Sequence, residues 1–223
     1  MLHHLSVSEA IAGTIAMLLL LVQLSLFRSM VISEFIRVYA IQAWLVGAIC
    51  FAVGITEGWA WDLLVLAFLT VLFKGILLSS YMRRLVRNIS SRIELPARIN
   101  VLASLLIAGA LIGLAVLTSV QLPLHQGAFL PQADLATALS MVFVGFLVAI
   151  LRPNALAQVI AFLTLEDGLF FGTVTLAPGL PFIIGVLLLI DALVAVVVFG
   201  VLVRELVERH EAAGVAVFQR LRG

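Results

Sequence analysis

The chain has 223 residues, 64% of them hydrophobic and only 11% charged, and its mean hydropathy of +1.25 excludes an ordinary soluble domain. Thirteen Lys and Arg against 12 Asp and Glu leave a formal charge of +1, which points to no nucleic-acid partner and no acidic substrate. Cys50 is the single cysteine, so an internal disulfide, a cysteine-built zinc site and an iron–sulfur cluster within this chain are excluded.

The amino terminus, MLHHLSVSEA, carries no Lys or Arg and leads into an apolar stretch of full spanning length, which argues against a cleaved signal peptide. A spanning helix needs about 20 mostly apolar residues, and the chain offers seven such stretches, at about 7–27, 36–55, 60–81, 100–120, 134–151, 155–176 and 180–203. The expected fold is therefore an all-α, seven-helix polytopic membrane protein.

The first span is followed by Arg28 and Arg37, the third by Arg83, Arg84, Arg87, Arg92 and Arg98, the fifth by Arg152, and the seventh by Arg204, Arg209, Arg220 and Arg222. The loops after spans two, four and six contain no Lys or Arg. By the positive-inside rule the N-terminus is outside and the C-terminus cytoplasmic; the expected location is the cell's inner (cytoplasmic) membrane, as a multi-pass protein. Trp59 and Trp61, after span two, fall where an outer aromatic belt is expected. Spans one to three and five to seven echo one another, each triplet with a basic residue opening its middle helix and a charge inside its third. Any odd-numbered bundle yields such triplets, so a parallel repeat stays open.

Charges within the spans demand explanation. Lys74 lies inside span three, Glu166 and Asp167 at the centre of span six, and Asp191 inside span seven. A charged side chain at a helix centre costs about 2.5–3.5 kcal/mol on insertion scales, so these four are expected to face protein or water. On span six, Glu166 and Asp167 define a carboxylate face, while Gly168 and Gly172 form a close-packing row on nearly the opposite side, which makes it an interior helix. Gly109 and Gly113 of span four read as a second helix-packing row. Asp191 has only apolar neighbours at its own helical contact positions, so its partner must come from another helix. Lys74 is the intramembrane cation available from this chain; it either pairs with these carboxylates or snorkels toward the headgroups. Glu166, Asp167 and Asp191 act either as proton-exchanging groups or as neutral acids joining helices by hydrogen bonds. His3, His4, His125 and His210 lack ligand spacing, and no phosphate loop, dinucleotide fingerprint or nucleophile elbow occurs. Catalysis by this chain alone is not expected.

The run RPNALAQVIAFLTLEDGLFF, followed by LLLIDALVAVVVFGVLVREL, resembles the carboxy-terminal half of hydrogenase-4 component E, a membrane subunit of formate-hydrogenlyase-type complexes. That region is similar in turn to the K subunit of bacterial complex I and the C subunit of multi-subunit Na⁺/H⁺ antiporters. The resemblance rests on Arg152, Asn154, Gln158, the Glu166–Asp167–Gly168 run and Asp191, with Tyr39, Ala40, Gln42 and Lys74 adding to it in the amino-terminal half. Relative to the complex I subunit, Leu163 occupies the position of the first carboxylate and Glu166 takes its place from the neighbouring turn, whereas Asp191 matches the second.

The resemblance implies a four-helix membrane segment over 1–133, a three-helix segment like the complex I K subunit over 134–209, and a cytoplasmic tail over 210–223. It further implies a non-catalytic subunit of an energy-converting redox complex, with Glu166, Asp191, Lys74 and Asp167 in a proton relay and no cofactor in this chain. Iron–sulfur clusters and a catalytic metal would belong to partner subunits. Expected partners are antiporter-like and other membrane-arm subunits, peripheral redox subunits and the lipid bilayer. Two other readings are a scaffold joining proton-pumping neighbours and an independent small ion exchanger or permease; against the permease, most spans lack the Pro or paired Gly breaks that unwind transporter helices.

Overall fold

The computed structural model describes residues 7–56, 60–87, 98–122, 132–176 and 181–220, with most side chains between 12 and 205. Within these residues the fold is all-α. Its helices are α1 (Val7–Leu24) with a 3₁₀ turn (Ser25–Phe27), α2 (Ile32–Thr56), α3 (Trp61–Leu69), a π-helix (Thr70–Leu78), α4 (Ser79–Arg87), α5 (Val101–Gln121), α6 (Gln132–Leu151), α7 (Ala155–Leu176) and α8 (Pro181–Arg220). Among the described residues six helical stretches are long and apolar enough to cross a membrane, and Ala12–Phe27 is a shorter apolar helix in the stretch expected to hold the first span. His3, His4, Trp59, Arg92, His125 and Arg222 lie outside the described residues, as do the side chains of Arg209, His210 and Arg220.

Apolar runs become helices because hydrocarbon leaves the backbone no partner but itself. Polar residues mark where they start. The Asn100 side chain accepts from the Ala103 amide at 2.7 Å and opens α5, Asn154 Oδ1 accepts from the Leu156 amide at 2.9 Å and opens α7, and Pro181 is the first residue of α8, where its missing N–H costs nothing. The third span, expected to end near residue 81, continues without a break from Trp61 to Arg87. The helix of the seventh span, whose oily part is expected to end near 203, runs on to Arg220, the continuation that the i,i+4 spacing of Glu205 and Arg209 in the sequence favours. In both cases hydropathy ends before helicity does, because Arg, Glu, Leu and Ala beyond the oily stretch are all good helix formers.

At the bundle's centre is α7, which packs against α6, α2 and α8. Two glycines bring α6 and α7 close. A Cβ at Gly168 would lie 2.8 Å from the Met141 Cβ, 3.1 Å from the Val142 amide nitrogen and 3.2 Å from the Ala138 carbonyl, and one at Gly145 would lie 3.0 Å from the Leu165 Cα. Gly172 is looser, with the Ala138 Cβ at 3.5 Å. Because α1 also packs on α6 and α2 on α7, segments 1–133 and 134–209 share one interior.

Gly109 and Gly113 correct the sequence expectation: a Cβ at either would meet nothing within 4 Å. The buried stripe of α5 is instead Ser104, Ala108, Ala115 and Ser119, a second small-residue row displaced by one position. That row faces α6, leaving the glycines on the open side. Gly168→Ala is therefore expected to lower the unfolding free energy of the detergent-purified protein by about 1–3 kcal/mol, since backbone as well as side chain must yield. Gly109→Ala should be neutral, or stabilising by up to about 1 kcal/mol through helix propensity. Denaturant titration followed by tryptophan fluorescence separates the two.

Candidate functional site

Lys74 sits at the middle of the π-helix and is buried, with 2% of its surface exposed. Its Nζ donates to Glu166 Oε1 at 2.6 Å and to Asp167 Oδ1 at 3.0 Å. Both carboxylates are buried as deeply, so one ammonium bridges two adjacent acids of α7 away from lipid. This excludes the snorkelling alternative for Lys74. It also shows why adjacent acids, which cannot lie on one stripe of a helix, act together: a single long side chain entering between them reaches both.

The π-helix places that side chain. Its wider i→i+5 ladder inserts a register shift into the third span, and the Ser79 hydroxyl donates at 2.9 Å to the Lys74 carbonyl five residues back, which keeps this buried acceptor satisfied. The shift separates residues that an uninterrupted helix would align. Thr70 and Lys74 face inward together, whereas Tyr81, on the same α-helical stripe by sequence, is 48% exposed. Close packing holds the segment in place: a Cβ at Gly75 would lie 3.1 Å from the Trp44 indole, and one at Gly47 would lie 3.3 Å from the Ala67 carbonyl.

Further polar groups are buried on the neighbouring helices. Tyr39 and Gln42, three residues apart on α2, are fully buried. Gln42 Nε2 donates to Gln23 Oε1 at 3.3 Å, and Gln23 Nε2 donates to the Met141 carbonyl at 2.7 Å, so α1, α2 and α6 are tied by one amide chain. Tyr39 Oη, Gln42 Oε1, Glu166 Oε2 and Asp167 Oδ2 have no hydrogen-bond partner within the described residues. Orphaned buried atoms of this kind normally hold ordered water.

Asp191 departs from expectation. It is exposed on the outer surface of α8 and lines a groove of about 400 Å³ with Gln158, Val159 and Phe162 of α7 and Val194 and Val198 of α8. The inward face of α8 is the stripe Ala192, Val196, Phe199 and Val203, one position round from the aspartate. Asp191 thus lies outside the bundle and, among the described residues, is not a partner of Lys74. Apolar residues on every side of α8 concealed this orientation.

Sequence reasoning treated Arg152 as an orientation signal and missed its structural role. It lies in the turn between α6 and α7, is 1% exposed, and its Nη2 donates to the carbonyls of Leu26 at 3.0 Å, Phe27 at 3.1 Å and Ser29 at 2.9 Å. The guanidinium also stands 5.2 Å from the Phe35 ring centroid. Burial lowers its pKa from the ordinary arginine value, a shift that leaves it charged at neutral pH. Gln158 Nε2 donates back to the Arg152 carbonyl at 3.1 Å. The available signal was RPN itself: a turn of three residues gives a long cation little room to reach water. Among the described residues no three His, Cys, Asp or Glu side chains converge as metal ligands. Searches of protein-family models, curated proteins and solved structures find no match to this chain.

Proposed function

We propose that the protein is a non-catalytic, proton-conducting membrane subunit of an energy-converting redox complex of the hydrogenase-4 component E kind. It spans the cytoplasmic membrane seven times, with its N-terminus outside. Electron transfer, iron–sulfur clusters and the catalytic metal belong to partner subunits, and antiporter-like membrane subunits flank this one.

The observation that carries the reading is the Lys74–Glu166–Asp167 triad. Two carboxyl groups share one ammonium in the buried interior, so with both acids ionised the cluster holds one uncompensated negative charge. Solvation of that charge by the interior is poor, and one added proton neutralises it. Such a cluster suits taking up and releasing a single proton. Tyr39, Gln42 and the free carboxylate oxygens supply hydroxyl and carbonyl groups along which hydrated protons exchange, and Asp191 extends the acidic groups toward the α7–α8 groove.

Glu166→Gln and Asp191→Asn preserve size and remove titration. In sealed membrane vesicles energised by the native electron donor, each variant complex is expected to assemble and to form its proton gradient about a hundredfold more slowly, the usual loss when a positioned proton carrier is removed. Assembly with undiminished gradient formation in both variants selects the scaffold reading, which the outward Asp191 groove also suits.

A further inference from the structure

At the end of the third span is a recess of about 580 Å³ on the outer face of the π-helix and α4, lined by Arg83, Arg84, Arg87 and Ser80. Ile76 and Leu77 continue the lining toward the middle of the span, and both are exposed on the outer surface. Tyr81 forms one wall and rests on α8 at Gly200, where an added Cβ would lie 3.5 Å from the tyrosine hydroxyl.

We propose that this recess binds an anionic phospholipid, with its phosphate held by the three guanidinium groups and its acyl chains laid along Ile76 and Leu77. Orientation of the chain in the bilayer accounts for a surplus of arginine on one side. It does not account for three arginines converging on one recess at i, i+1 and i+4 with a hydroxyl beside them and aliphatic surface on the bilayer side. Among the described residues none of the three forms a salt bridge, and no carboxylate lines the recess. Arg83 Nε donates to the Ser79 carbonyl at 3.3 Å, which anchors its stem and leaves the terminal nitrogens for a ligand. Guanidinium forks match phosphate oxygens in pairs, and basic pockets at helix ends favour anionic headgroups over zwitterionic ones, whose own ammonium group is repelled. The site rests on the chain lying in a membrane and is independent of proton conduction.

The full-length protein, purified and delipidated in a zwitterionic detergent, is titrated with dioleoyl phosphatidylglycerol or with the phosphatidylethanolamine of the same chains, and bound lipid is counted by native mass spectrometry. The expected result is retention of phosphatidylglycerol over phosphatidylethanolamine by roughly tenfold or more. That preference is lost in Arg83→Gln/Arg84→Gln/Arg87→Gln and kept in a control that removes exposed charge elsewhere, Arg28→Gln/Arg37→Gln. Because loss of three charges can disturb insertion, Arg83→Lys/Arg84→Lys/Arg87→Lys is measured in parallel; it keeps the charge and loses paired hydrogen bonding, and should fall between the two. Equal retention of both lipids, or an undiminished preference in the lysine variant, overturns the proposal. Displacement of the lipid by millimolar inorganic phosphate overturns it as well, since the ligand would then be a free anion.

Discussion

Lys74→Met is expected to lower the unfolding free energy of the purified protein by about 3–5 kcal/mol, the usual result of leaving buried charge without its partner. Two carboxyl groups would remain in the interior with no cation within reach among the described residues. Protonating both would relieve the charge but not replace the hydrogen bonds that Nζ donates. Trp44 provides the readout, because its indole packs on Gly75 beside the substituted position.

The companion variant makes the prediction specific. Lys74→Met/Glu166→Gln/Asp167→Asn removes cation and acids together, and well-packed neutral replacements of buried ion pairs are often as stable as the original. It should recover most of the lost stability while failing to form a proton gradient in the assembled complex. Recovery of both stability and gradient would leave the triad a packing device. A single Lys74→Met substitution with an unchanged unfolding midpoint would remove the ion pair from any account of this fold.

The second large effect is expected at Arg152. Replacing it by Leu keeps an apolar stem and deprives the Leu26, Phe27 and Ser29 carbonyls of their shared donor. Hydrogen bonds to charged groups contribute about 1.5–3 kcal/mol each, and because three acceptors share one nitrogen the combined loss should be about 3–5 kcal/mol, not their sum. The loss should also be local at first. Hydrogen exchange at Arg28 and Ser29, whose amides bond back to the Ser25 carbonyl, should accelerate before the rest of α1 opens. Arg152→Lys, which retains the charge but not the planar fork, should lie between wild type and Leu. Unchanged exchange there in Arg152→Leu would mean that the end of α1 is held by apolar packing alone.

Where the helices start was readable to within a few residues because a run of oily residues has one way to satisfy its backbone in a bilayer. The interior place of α7 was equally readable, since Glu166, Asp167, Gly168 and Gly172 leave little perimeter that tolerates lipid. Errors arose where every side of a helix looks alike. For α5, two small-residue rows one step apart were both suitable, and α6 takes the one with Ser104 and Ala108. For α8, uniform apolarity gave Asp191 no marked direction, and the stripe through Ala192 and Val196 turned inward instead.

Composition and order alone thus determined that this is an all-helical chain suited to a membrane and which residues carry charge inside it, because hydropathy and charge are properties of the residues themselves. Tertiary structure alone decided which charges meet. A nine-residue π-helix, invisible in residue pattern, turns Lys74 onto Glu166 and Asp167, and a three-residue turn buries Arg152 against the end of α1. Both outcomes depend on rotation and depth relative to a neighbouring helix, and a step of one residue in register, about 100° of azimuth, is enough to exchange an ion pair for an exposed charge.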